Sequence, residues 1–187
     1  MVAVKPALFV LLLCASLLAV VQARAKTVLP EACGEDKVKF DVTTRNGQPE
    51  PAPPEAGKAQ IVFIETLDGC PGCSTPAMRF GGDGAWAGAN KGNSYFTVDV
   101  WPGEHHLCAA WQGSFGESKQ EPRWVNFAAA AGKVYYFEAK VTIVTRLTGV
   151  GLDSVIEMDG SVTFAQLTDE EGKRRVKKSA LSISKRK

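Results

Sequence analysis

The chain has 187 residues, 45% hydrophobic and 22% charged, proportions of a globular protein that exclude an intrinsically disordered one. Its net charge of +2 conceals an uneven spread: residues 24–172 hold 13 basic and 20 acidic side chains, residues 173–187 eight basic and no acidic ones. An acidic body with a basic end argues against nucleic-acid binding, and no nucleic-acid partner is expected.

At the N-terminus, Lys5 precedes an apolar run from Ala7 to Val21 interrupted only by Ser16. That run is shorter than the roughly 20 residues a membrane-spanning helix needs. Val21 and Ala23 place small residues at the −3 and −1 positions of a signal-peptidase site, so residues 1–23 are expected to be a signal peptide cleaved near Ala23 or Ala25. Leu13 precedes Cys14, and apolar residues continue to Val21, so no lipid anchor is expected. The expected location is periplasmic or extracellular.

Residues 24–58 form a leading segment with a short strand, Val38 to Thr43. It ends in the connector Gln48-Pro49-Glu50-Pro51-Ala52-Pro53-Pro54, whose prolines favour an extended chain. The main domain is expected over residues 59–168. Ala59 to Ile64 is an apolar run that reads as a strand buried on both faces. Met78-Arg79-Phe80 is short, and the glycines of 81–88 suggest tight strand connections. Tyr95 to Trp101 alternates, with Phe96, Val98 and Val100 on one face; Pro102-Gly103-Glu104 predicts a turn, and His105 to Trp111 a returning hairpin partner. Trp124 to Ala130 and Lys133 to Leu147 predict a second hairpin joined at Ala131-Gly132. On the longer strand, Tyr136, Glu138, Lys140 and Thr142 are expected on a wet face. Asp159-Gly160 predicts a further turn before a strand from Ser161 to Leu167. Thr168 with Glu171 forms a capping box opening a short helix over Asp169 to Lys178, and residues 169–187 are read as that helix and a solvated basic tail. Short strands with frequent turn signals predict an all-β, antiparallel β-sandwich.

Several motifs occur in order: Asp83-Gly84-x-Trp86-x-Gly88-x-Asn90, Asn93-Ser94-Tyr95-Phe96, Pro102-Gly103-Glu104-His105-His106-Leu107-Cys108, and Ala131-Gly132-Lys133-Val134-Tyr135-Tyr136-Phe137. Over Ala59 to Val144 the chain resembles the bacterial family of exported, often lipoprotein-type proteins known as domain of unknown function 2846. A narrower likeness, Asp83 to Trp111, is to PEGA and carboxypeptidase-regulatory-like sandwich modules. The resemblance implies an immunoglobulin-like or transthyretin-like sandwich and brings no reaction or catalytic residue with it.

After the signal peptide four cysteines remain, Cys33, Cys70, Cys73 and Cys108, an even count that in an exported chain reads as a disulfide framework with three possible connectivities. The pairing expected is Cys33 with Cys108 and Cys70 with Cys73. Cys70-Pro71-Gly72-Cys73 could instead be a redox pair, but no helix follows to lower a thiol pKa. A zinc alternative would join Cys70, Cys73 and Cys108 to His105 or His106. No metal or cofactor is expected, and no nucleophile elbow or acid pair marks a catalytic site. Tyr95, Trp101 and Tyr136, on the less apolar strand faces, are candidates for stacking a glycan or small ligand, against the alternative that a helix or loop lid buries them. The reading is of a non-enzymatic cell-envelope module. Its partners would be envelope proteins, or anionic envelope polymers met through the basic tail.

Overall fold

A computed structural model describes residues 33–47, 50–68, 77–113, 122–148 and 155–187. The apolar leader, Cys70 and Cys73 lie outside them. Among the described residues ten strands and one helix follow in chain order: β1 (Phe40–Arg45), β2 (Ala59–Asp68), β3 (Met78–Gly82), β4 (Ala85–Asn90), β5 (Ser94–Val100), β6 (Gly103–Trp111), β7 (Arg123–Ala129), β8 (Val134–Thr148), β9 (Val155–Leu167), α1 (Asp169–Lys177) and β10 (Ala180–Arg186). They form a six-stranded sheet, β1-β10-β5-β2-β8-β9, and a four-stranded sheet, β4-β3-β6-β7. The chain is therefore mostly β, as its alternation predicts, with two sheets facing each other.

The core between the sheets is aromatic. Phe63 of β2 lies 5.2 Å from Phe80 of β3 and 5.4 Å from Phe96 of β5, ring centroid to centroid, and Phe127 of β7 lies 4.9 Å from Phe137 of β8. These rings come from both sheets, so they stitch the layers together as well as excluding water. Alternation places Ile61 and Phe63 of β2 in this core, with Val62 and Ile64 of the same strand buried on the opposite face. The strand is covered on both sides, as its continuous apolar run predicts.

Pairing differs from the expected hairpins. Pro102-Gly103 does not fold β5 back onto β6: β5 pairs with β2 and β10, and β6 with β3 and β7, so the turn is an arch from one sheet to the other. Ala131-Gly132 likewise carries the chain from β7 in the small sheet to β8 in the large one. Alternation specifies which faces are apolar, and an arch preserves that pattern as well as a hairpin does. Asp159-Gly160 is not a turn either: Asp159 pairs with Val144 and Gly160 with Ile143, deep inside the β8–β9 ladder. Nor is the large sheet wholly antiparallel, since β2 pairs parallel with β8 and β10 parallel with β5.

The basic end of the chain is also different from a solvated tail. Residues Ala180–Arg186 form β10, inserted between β1 and β5, and the Ser182 hydroxyl donates to the Ala89 carbonyl of the small sheet at 2.8 Å. Several of its neighbouring cations are neutralised: Lys187 meets Asp41, Arg175 meets Glu138 and Lys177 meets Glu50.

The leading segment is clamped to the outer face of the small sheet. Cys33 and Cys108 form a disulfide, the pairing expected from the sequence. Beside it the Arg79 guanidinium donates to the backbone carbonyls of Asp36 and Val38, each at 2.9 Å, and of Trp111 at 3.3 Å. Its carbon lies 4.4 Å from the centre of the Trp86 ring, and the Trp86 indole N–H donates to the Glu35 carbonyl. A buried cation is tolerable here because carbonyl dipoles and a π-face replace its hydration.

Glu65 is the counterexample. It points from β2 into the core between Phe63 and Leu67, fully buried, and neither carboxyl oxygen has a partner at hydrogen-bonding geometry among the described residues. Burial pushes its pKa well above the ordinary 4.5; the nearby Gly92 backbone N–H acts the other way without offsetting it. Two outcomes follow. Because the Cys33–Cys108 bridge closes a separation of 75 residues, the double variant Cys33→Ser/Cys108→Ser should lose about 4 kcal/mol of unfolding free energy, read from denaturant midpoints. For Glu65 the raised native pKa means stability is fullest in acid below 4.5 and falls as pH climbs through the native value, where the unfolded chain gains by releasing the proton. Glu65→Gln should remove that fall, so that its stability relative to the parent is greater at about pH 8 than at about pH 4, measured by denaturation at the two values.

Candidate functional site

The family-like motifs are spent on the fold. Asp83 and Gly84 hold φ of +54° and +85° at the β3–β4 turn. Asp83 accepts from the His106 backbone N–H at 2.9 Å through Oδ1, and its Oδ2 lies 2.7 Å from His105 Nδ1. His105 Nε2 lies 2.7 Å from the Trp101 carbonyl. His106 is tied to the Asn126 side chain, also at 2.7 Å. Gly88 lets β4 approach the large sheet, since a Cβ there would lie 2.9 Å from Phe96. The Asn90 amide donates to the Phe63 carbonyl, joining the layers. His105 thus ties the β3–β4 turn to the arch between β5 and β6, and His106 joins its cross-strand partner on β7.

The expected site residues are dispersed. Cys108 is fully buried and its sulfur is bonded to Cys33, so it offers no thiolate to a zinc ion beside His105 or His106. The three aromatic candidates share no platform. Tyr95 and Tyr136 are buried, 3% and 6% exposed, whereas Trp101 is 67% exposed with the Lys58 ammonium 5.3 Å from its ring centre. The face of β8 expected to be wet is covered at one end only: Tyr136 and Glu138 are buried beneath α1, whereas Lys140 and Thr142 are half-buried.

Helix α1 accounts for that cover. Nine residues are too few to be helical alone, so capping and docking must hold them. Thr168 is an extended N-cap accepting from the Glu171 N–H, with acidic residues in the first turn and basic ones in the last, each complementing the helix dipole. Gly172 is buried on the docking face. A Cβ there would fall 2.1 Å from the Tyr136 ring, so the helix backbone rests directly on the tyrosine. Val176 packs in the same cluster as Val62, Ile64 and Tyr136, and Arg175 reaches Glu138 at 2.9 Å, with the Thr66 hydroxyl donating to the same oxygen.

Beside the helix runs the proline segment, so that strap, sheet and helix enclose a groove of about 310 Å³. Pro51, Pro53 and Pro54 form one wall, Lys173 and Val176 the other, and Gln60, Val134 and Tyr136 line it from the sheet. The strap is held by a Glu50–Lys177 ion pair at 3.4 Å and by the Glu55 N–H donating to Asp99 at 3.1 Å. Gln60 gives its amide N–H to Asp99 at 3.3 Å, and its carbonyl oxygen is buried, without a partner among the described residues and without surface open to the groove. The Tyr136 hydroxyl has no hydrogen-bond partner among the described residues. Burial first, then the carboxylates of Asp169 and Glu50, hold its phenol above the ordinary pKa of 10.0, so it carries its proton and can donate. Lys173 is exposed and forms no ion pair among the described residues. Of these groups the sequence singled out only Tyr136; Gln60 sits inside an apolar run, Lys173 in a charge run, and the prolines read as a connector.

Gly172→Ala should lift α1 from Tyr136, costing about 1–3 kcal/mol and loosening the groove, checked by thermal denaturation and by the exposure of Tyr136 to solvent. Gly172→Ala should be far more damaging than the helix-favouring exchange Lys178→Ala.

Comparison with protein-family models, curated proteins and solved structures finds no match for this chain.

Proposed function

We propose that this chain is an exported, non-enzymatic module of the cell envelope that works by binding, with the groove between the proline strap and α1 as its binding site. The observation that carries this reading is a concave, apolar-walled space lined by the Tyr136 and Lys173 side chains, neither of which has a hydrogen-bond or ion-pair partner among the described residues. Binding sites combine apolar walls with a few such groups. Export is supported by the N-terminal apolar run with its small-residue cleavage positions and by the Cys33–Cys108 bridge, which suits an oxidising compartment. A non-enzymatic role is supported by the engagement of His105 and His106 in structural bonds. The likeness to domain of unknown function 2846 and to PEGA-type modules is part of the same proposal, as is kinship with immunoglobulin-like or transthyretin-like sandwiches.

The test is to isolate the protein from its own host by fractionation and record native mass spectra. The expected result is a processed chain outside the cytoplasm carrying a non-covalent small-molecule adduct, lost in a Val134→Trp variant that fills the groove. An unprocessed, reduced chain in the cytosol, or a processed chain with no adduct, would contradict the reading.

A further inference from the structure

Three of the four asparagines have their side chains held in the sandwich. The Asn90 amide donates to the Phe63 carbonyl at 3.1 Å from a fully buried position, Asn93 Oδ1 accepts from the Leu67 backbone N–H at 2.9 Å, and Asn126 Oδ1 lies 2.7 Å from His106 Nδ1. Moving any of these amides first costs its hydrogen bond. Each is also followed by a residue with a side chain, Lys91, Ser94 or Phe127. Asn46 differs in sequence and in setting. It is exposed, it stands one residue past the last β1–β10 pair, Arg45 with Leu181, and the next residue is Gly47.

Gly47 holds a φ of +67°, a left-handed conformation in which a side chain would be strained, and a Cβ placed there would meet nothing within 4 Å. Open space on that side leaves the backbone room to turn about the residues flanking the Asn46–Gly47 peptide bond. For an asparagine side chain to be attacked by its own backbone, the following amide nitrogen must reach Cγ, with neither a Cβ on the next residue nor packed neighbours in the way. Asn46 with Gly47 meets both conditions.

We infer that Asn46-Gly47 is a site of spontaneous covalent modification, at which the asparagine is converted to isoaspartate and aspartate. Gly47 N, having given its proton to solvent hydroxide, bonds to Asn46 Cγ. The Cγ–Nδ2 bond breaks, and the side-chain nitrogen takes a proton from water and leaves as ammonia. One water molecule then opens the five-membered succinimide. Attack at the Asn46 backbone carbonyl carbon gives isoaspartate, with the main chain now running through Cγ; attack at Cγ gives aspartate. One water is consumed and one ammonia released, and the step needs no oxidant, metal or enzyme. Either product adds a carboxylate next to Arg45 in the chain. Isoaspartate also lengthens the backbone by one carbon between β1 and the strap that begins at Glu50. The reaction is independent of the binding role proposed above, since it involves these two residues and water alone.

The experiment holds the protein folded in mildly alkaline buffer made with oxygen-18 water, beside a sample unfolded in urea. Both are then digested and sequenced by electron-transfer mass spectrometry, which separates isoaspartate from aspartate. The expected result is heavy-oxygen isoaspartate and aspartate at position 46, formed in the folded sample no more than about tenfold more slowly than in the unfolded one. Asn90, Asn93 and Asn126 should stay intact in the folded chain. Gly47→Ala should slow the conversion at least about tenfold. Asn46→Gln, whose side chain would have to close a six-membered ring, should take up no label at that position. An Asn46 that survives in the folded chain while converting in urea, or that converts in neither sample, overturns the proposal. So does conversion of Asn93 or Asn126 in the folded chain as fast as that of Asn46.

Discussion

Strand β2 has no wet face, and the architecture follows from that constraint. Ile61 and Phe63 project toward the small sheet while Val62 and Ile64 project the other way, all four essentially without exposure. A strand at the middle of a sheet with apolar side chains on both faces needs two covers, each side chain buried contributing on the order of 1.5–3 kcal/mol. The small sheet supplies one cover through its phenylalanines. The other has to come from the rest of the chain, and α1 with the proline strap is what the sequence provides. The groove lies where these two partial covers fail to meet.

The second cover also explains why a nine-residue helix is retained. Its cap and dipole-matched charges are local stabilisers of modest size, whereas the contact of Gly172 with Tyr136 and of Val176 with Ile64 is the reason it sits where it does. The same seating carries Lys173 to the groove and brings Arg175 onto Glu138, whose burial would otherwise leave a carboxylate uncompensated. On the other side of the molecule the Cys33–Cys108 bridge and Arg79 do the equivalent for the segment leading into β1, and β10 pairs with β1.

Much of the strand pattern was legible in the sequence, because period-two alternation and the continuous run of β2 report directly which side chains must be hidden. Partner choice was not. Pro102-Gly103 and Ala131-Gly132 mark places where the chain turns, yet nothing local tells an arch from a hairpin; that is decided by which sheet has an open edge. Asp159-Gly160 misled because β8 is long enough to pair with β9 throughout, so the dipeptide is absorbed into the ladder. Strand β10 was masked by charge, although Leu181 and Ile183 alternating with Ser182 and Ser184 carried the signal. Of the groove, Tyr136 was visible as an aromatic on a polar-looking face. Gly172 was not, since a glycine in a charged helix announces a close contact only once the contacting ring is known.

Helix α1 rests directly on Tyr136 over the outer face of β2 and β8, and the second cover depends on that contact. Nuclear Overhauser contacts measure this without perturbing it. Strong cross-peaks between the Tyr136 ring protons and the Gly172 α-protons, with weaker ones from the Val176 methyls to Ile64, are the result this structure requires. Their absence, with the Val62 and Ile64 methyls instead showing contact with solvent, would contradict it.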